Sequence, residues 1–274
     1  MLRSQRNMTR RFHKMHGLGN DFVIFDAREE PLEVDGRRAR AIANRRTGVG
    51  CDQLIVLEKS LAADVRMRIF NADGGEVEAC GNAARCVTLL LGGEESIETR
   101  SGIIVGTAEG GRATVDMGVP RFDWQEIPLA YAMDTTALPV AWEKLKKPFA
   151  VNVGNPHIVF FVPDADAVDL ARLGPRIEND PLFPERINVN VASVEPGGLK
   201  LRVWERGAGL TQACGTGACA AAVAAISRKL RESPVHVVLP GGALDISWDR
   251  GSAIRMSGAG TYVYEGEISL EAFR

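Results

Sequence analysis

The segment MRIFNADGGEVEACGNAARC, residues 67–86, aligns without a gap on LRVWERGAGLTQACGTGACA, residues 201–220, at a constant offset of 134. Arg68 falls on Arg202, Asn71 on Glu205 and Cys80 on Cys214. A second pair, GNDFVIF at 19–25 and GNPHIVF at 154–160, follows at an offset of 135, and Gly102, Ala113 and Gly118 match Gly242, Ala253 and Gly258 at 140. Three blocks in one order mark a duplication, so any fold assigned to one half must also suit the other.

Each half reads in the same way. A strand opens after a Gly-Asn turn, and a second strand (67–71 or 201–205) ends on a polar residue. A Cys-Gly turn leads into a helix, AARCVTLLL or ACAAAVAAI, and strands rich in β-branched residues with Gly punctuation follow. Helices apolar nearly all round must be enclosed. The expected fold class is therefore α+β: two pseudo-symmetric domains, each a curved mixed β-sheet or barrel around a central apolar helix, with the active site in the cleft between them. The expected boundaries are 12–123 for the N-terminal domain, with 262–274 returning to it, and 124–261 for the C-terminal domain. The stretch 120–149, with Pro120, Pro128, Pro139 and Pro148, reads as a connection, and MLRSQRNMTRRFHK as a poorly ordered extension.

A chain of 274 residues that is 45% apolar can bury such a core twice over. Its net charge of −2 gives no reason to expect nucleic acid, and no apolar stretch approaches a membrane span. Five cysteines, an odd number without an export signal, read as reduced thiols in a cytoplasmic protein.

The chemistry is written in the repeated turn. Gly215 and Gly217 permit a tight turn while Ala218 to Ile226 propagate a helix, so Cys214 and Thr216 fall at its N-terminus. Unpaired amides and the positive end of the helix dipole gather there. A free thiol titrates near ~8.5 and such a site lowers that value, which predicts a partly ionised Cys214. The same amides can hold a carboxylate. Two facing copies would suit two-base proton transfer: a thiolate takes a proton from one face of a carbon, and a thiol on the opposite face returns another. Two helix N-termini would stabilise the carbanion's carboxylate with no cofactor.

The motifs MHGLGNDF (15–22), RRTGVGCDQ (45–53), NADGGEVEACGNAARC (71–86), GNPH (154–157) and ERGAGLTQACGTGACA (205–220) together resemble the diaminopimelate epimerases. These are cofactor-independent enzymes that interconvert LL- and meso-diaminopimelate on the bacterial route to lysine and peptidoglycan. The resemblance implies that Cys80 and Cys214 are the acid–base pair, tuned by His157 and Glu205. It implies that Gly81, Asn82, Gly215 and Thr216 hold the carboxylate at the reacting centre. Asn20, Gln53, Asn71, Asn155, Asn188, Glu205 and Arg206 match the family's substrate-binding positions. Glu205 and Arg206 suit the substrate's distal zwitterion, which needs an acceptor for its ammonium and a cation for its carboxylate. Two positions depart from the family pattern: Gly75, where Ser is frequent, and Leu210, where an acidic residue is frequent. The implied partner is small-molecule diaminopimelate, with monomer and homodimer both left open.

The remaining candidates have structural readings. Cys86 and Cys219 fall inside the apolar helices, Cys51 in a Gly-rich turn, His13 in the extension, His236 in a strand, and His16 beside the Gly-Asn turn as a packed or exposed side chain. With no CxxC pair and four histidines, no metal site is expected. Three other functions stay open: an epimerase of the proline racemase type, a non-catalytic amino-acid binder on the same duplicated fold, and a thiol redox protein.

Overall fold

The computed structural model of the chain describes residues 9–78 and 80–273. The chain forms two compact units, one running up to Val115 and resuming at Ala259, the other spanning Asp116–Gly258. These boundaries lie slightly upstream of those expected.

In chain order the first unit contains β1 (Thr9–Gly17), β2 (Asn20–Asp26), α1 (Gly36–Ala43), β3 (Gln53–Glu58), β4 (Val65–Asn71) and β5 (Glu76–Val77). It continues with α2 (Gly81–Leu91), β6 (Glu94–Thr99), β7 (Gly102–Glu109) and β8 (Arg112–Asp116). The second unit holds β9 (Ala141–Trp142), β10 (Leu145–Lys146), β11 (Phe149–Asn152), β12 (Pro156–Val162), α3 (Leu170–Glu178) and β13 (Asn188–Glu195). After these come β14 (Gly198–Glu205), β15 (Gly209–Thr211), α4 (Gly215–Ser227), β16 (Val235–Leu239), β17 (Gly242–Ser247) and β18 (Arg255–Ala259). The last strand, β19 (Thr261–Ser269), pairs antiparallel with β1 and so belongs to the first unit.

The duplication is complete at the level of strand pairing. In the first unit β1 and β2 are antiparallel, β2 runs parallel to β3, β3 antiparallel to β4, and β4 parallel to β6 before the meander β6–β7–β8. The second unit repeats every step with β11, β12, β13, β14, β16, β17 and β18. Each parallel crossover between β4 and β6, or β14 and β16, contains the Cys-Gly turn and its helix, as a parallel pair requires a long connection.

The central parallel strands are apolar on both faces. Phe22 to Phe25 of β2 and Leu54 to Leu57 of β3 are all buried, which requires cover on each side of the sheet. On one side α1 supplies Ala39, Ile42 and Ala43, packed with Val23, Phe25, Leu54, Val56 and Phe70. α2 packs against β1, β6, β7 and β19. In the second unit α3 contributes Leu170, Leu173 and Ile177 to a core with Ile158, Phe160, Val189 and Val191, and α4 packs against β11–β14, β16 and β17. α1 and α3 start alike: the side chains of Asp35 and Asp169 accept bonds from the amides of Arg38 (2.8 Å) and Arg172 (3.3 Å).

Two expectations are corrected. Residues 9–14 are not a loose extension, because they form most of β1, paired with β19 throughout and with β2 from His13 onward; residues 1–8 lie outside the described part. His13 thus sits in a strand, its Nδ1 3.0 Å from the Tyr262 hydroxyl. The stretch 120–149 is not a bare connection either. Ile127, Leu129, Leu138 and Leu145 are buried in the second unit's core, since the prolines shape turns while the apolar residues between them pack. No helix among the described residues is long and apolar enough to cross a membrane.

Candidate active site

In the first unit a two-residue turn joins β1 to β2, with Leu18 at φ 56° and Gly19 at φ 86°, the left-handed pair that a tight hairpin of this hand demands. The turn delivers Asn20 at the start of β2. Cys80 is the extended N-cap of α2, and its Sγ lies 3.9 Å from Asn20 Oδ1. The same oxygen accepts a bond from Asn82 Nδ2 (3.2 Å), and Asn82 Oδ1 accepts from the fully buried Arg85 guanidinium at 3.0 Å. Asn20 in turn donates to Asp52 (3.2 Å), which Arg45 also holds. Beside this chain Gln53 and Asn71 face each other across β3 and β4 and share a 2.9 Å bond. Asp21 underpins the turn: burial alone would raise its carboxyl, but bonds from Arg45 and Lys14 outweigh that and hold it well below the usual range.

The second unit builds the corresponding half. Cys214 is the extended N-cap of α4, and its sulfur accepts from the Gly217 amide at 3.4 Å and lies 3.5 Å from Thr216 Oγ1. Glu205 ends β14 nearby. Its carboxyl is raised by burial, which the neighbouring Thr211 and Cys214 side chains only partly offset. The expected ionised Cys214 is not found: burial, and then the Glu205 charge, push its thiol well above the usual value. The helix dipole, at about 0.3–1 kcal/mol, is smaller than the cost of burying an uncompensated thiolate. Cys214 therefore rests as a thiol.

In both helices the ladder opens on the cysteine carbonyl, with Ala84 N–H to Cys80 O and Ala218 N–H to Cys214 O. The amides of Gly81 and Asn82, and of Gly215 and Thr216, precede that first bond and are donors suited to a carboxylate.

His157, on β12, is fully buried, and both of its ring nitrogens are engaged. Nε2 donates to Asn155 Oδ1 (2.8 Å), and Nδ1 accepts from Asn190 Nδ2 (3.1 Å). Burial, reinforced by the nearby Arg206 charge, pushes its pKa down to about 3. It is a neutral ring that orients Asn155. Asn188 donates to the Pro156 carbonyl (2.9 Å) and accepts from the Arg206 amide (2.9 Å), tying β12 to the turn after β14. Arg85 and Asp52 lie inside the motifs NADGGEVEACGNAARC and RRTGVGCDQ but take no role from them, and Asn190 stands outside every motif, its one signal being a polar amide among apolar strand residues, where it must find partners.

The other cysteines fit the structural reading. Cys51, Cys86 and Cys219 are buried, and burial pushes the first two thiols up to about 12. His236 is exposed, with Nδ1 2.7 Å from Asp245, and His16, in β1, has its Nδ1 3.5 Å from the Gly19 amide of the β1–β2 turn. Gly75 and Leu210 are both exposed but adjoin the site: the Gly75 carbonyl accepts from the Asn71 amide (2.8 Å), and Leu210 in β15 pairs with Trp204 beside Glu205. No group of three or more potential metal ligands occurs among the described residues.

Comparison with known proteins agrees in fold and in sequence. A Bacillus anthracis phenazine biosynthesis protein of the PhzF family superimposes with a TM-score of 0.69 at 17% identity, covering 95% of this chain and 99% of the other. A hydroxyproline epimerase from Agrobacterium vitis gives 0.66 at 15% identity, covering 98% and 94%. Both are likenesses of fold alone. Sequence similarity is much closer to a diaminopimelate epimerase from Rhizorhabdus wittichii, 65% identical over 96% of this chain and 97% of that protein. The diaminopimelate epimerase family profile matches residues 12–122 and 149–263. With both Cys-capped helices and the asparagine-rich turns inside the matched segments, the chain belongs to the diaminopimelate epimerase family and is an isomerase.

Proposed function

We propose that the protein interconverts LL- and meso-diaminopimelate by two-base proton transfer at the α-carbon, with Cys80 and Cys214 acting from opposite faces. The observation that carries this reading is the repeated local setting: each unit presents one cysteine as the N-cap of its enclosed helix, with first-turn amides beside it. The amides of Gly81, Asn82, Gly215 and Thr216 take the carboxylate next to the reacting carbon and stabilise its developing charge. Cys214, resting as a thiol, is the donor in one direction. In the other it must first give up its proton, and the adjacent Glu205 is the carboxylate placed to accept it. Asn20, Gln53, Asn71, Asn155 and Asn188 supply neutral amides, while Arg206 and Glu205 meet the distal carboxylate and ammonium. No cofactor enters this scheme. The five cysteines read as reduced thiols, which suits a reducing compartment, and we place the reaction in the cytoplasm, in lysine and peptidoglycan precursor synthesis.

The test is direct. Purified protein incubated with LL-diaminopimelate and followed by chiral chromatography is expected to accumulate the meso isomer until the two reach equilibrium. Turnover of proline or hydroxyproline with diaminopimelate left untouched would overturn the substrate assignment.

A further inference from the structure

Glu178, the last residue of α3, is only 4% exposed, yet it is a carboxylate in an apolar core. Its Oε2 accepts from the Trp204 indole Nε1 (2.7 Å), and its Oε1 accepts from the Gly207 amide (2.9 Å) and the Arg186 guanidinium (3.4 Å). Trp204 and Gly207 flank Glu205 and Arg206, so one carboxylate grips both ends of the turn that carries the charged pair. The grip is braced on two sides. Gly174 of α3 leaves room for the indole, since a Cβ there would lie 2.4 Å from Trp204 Cδ2. Arg206 donates to the carbonyl of Glu185 (2.9 Å), the residue before Arg186, which itself adopts a left-handed φ of 59°.

A buried carboxylate is costly, and an apolar side chain would serve bare stability at least as well. What it provides is geometry, because its two oxygens fix two donors three residues apart. We propose that Glu178 is a positioning residue of the site, holding the Trp204–Gly207 turn so that the Arg206 guanidinium meets the distal carboxylate of the substrate. This rests on the reading of Arg206 as a substrate-binding group.

Glu178→Gln keeps the shape but offers one oxygen, so either the indole or the Gly207 amide faces an NH2 group. The variant is expected to fold, to raise KM for LL-diaminopimelate by about 10- to 100-fold, and to change kcat much less. Trp204→Phe, which removes one arm while keeping the packing on Gly174, should shift KM in the same direction, and it decides the matter if Glu178→Gln does not fold. Placed in an Arg206→Ala background, Glu178→Gln should add almost nothing, because its effect runs through Arg206. A full-size additional loss in that background, or a folded Trp204→Phe with unchanged KM, would overturn the positioning role while leaving the site intact. An Arg206→Ala enzyme with unchanged KM would instead refute the binding reading of Arg206, and the role of Glu178 with it.

Discussion

Its place after a repeated Gly-Asn turn marks His157 for function, and only the family resemblance implies that it tunes the cysteines. Its surroundings restrict the role: with Asn155 on Nε2 and Asn190 on Nδ1, the ring is a buried neutral spacer that fixes an amide. The consequence is measurable. The unfolded histidine takes up a proton near pH ~6.5, whereas the folded one resists until about pH 3. The unfolded state thus binds more protons in that window, and stability falls as pH falls through it, by up to ~1.4 kcal/mol per pH unit. Urea unfolding at about pH 7 and about pH 5 should show the wild type losing roughly 2 kcal/mol more than His157→Gln. Equal losses would show that His157 is protonated in the folded protein. Cys214 teaches the complementary lesson. The helix start was visible in ACGTGACAAAVAA, but the depth of its burial and the nearness of Glu205 come from tertiary packing.

At the scale of elements, α2 and α4 were legible because alanine-rich and apolar runs leave a helix few alternatives, and the strands before them because the repeat gave each a second witness. α1 and α3 were not. GRRARAIA is short and carries three arginines, and LARLGPRIE carries Gly174 and Pro175, which read as breakers; capping by Asp35 and Asp169 and packing on the sheet override both signals. Inside α4 a glycine has a steric reason. A Cβ on Gly217 would stand 2.7 Å from Asn190 Oδ1 and 3.0 Å from Val203 Cγ2, in the turn whose amide holds the Cys214 sulfur. Gly217→Ala should therefore destabilise the protein by about 1–3 kcal/mol, read by denaturant unfolding, although alanine is the better helix former. Wild-type stability in this variant would mean that Asn190 and Val203 give way freely.

For the molecule as a whole, duplication was the strongest signal, and the identical strand order of the two units is its physical counterpart. Linker composition misled where 120–149 was concerned, because proline density marks turns without revealing that the residues between them are core. The central proposal is that each unit contributes one cysteine to a two-base exchange at one carbon, one removing a proton and the other returning a different one. In heavy water each thiol exchanges with solvent before substrate binds, so the donor carries deuterium while the departing proton goes to the base opposite. Mass spectrometry at low conversion from LL-diaminopimelate is the most direct test: the account predicts deuterium at the inverted centre of the meso product and almost none in recovered substrate. Unlabelled product, or recovered substrate labelled as heavily as product, would contradict the two-cysteine mechanism.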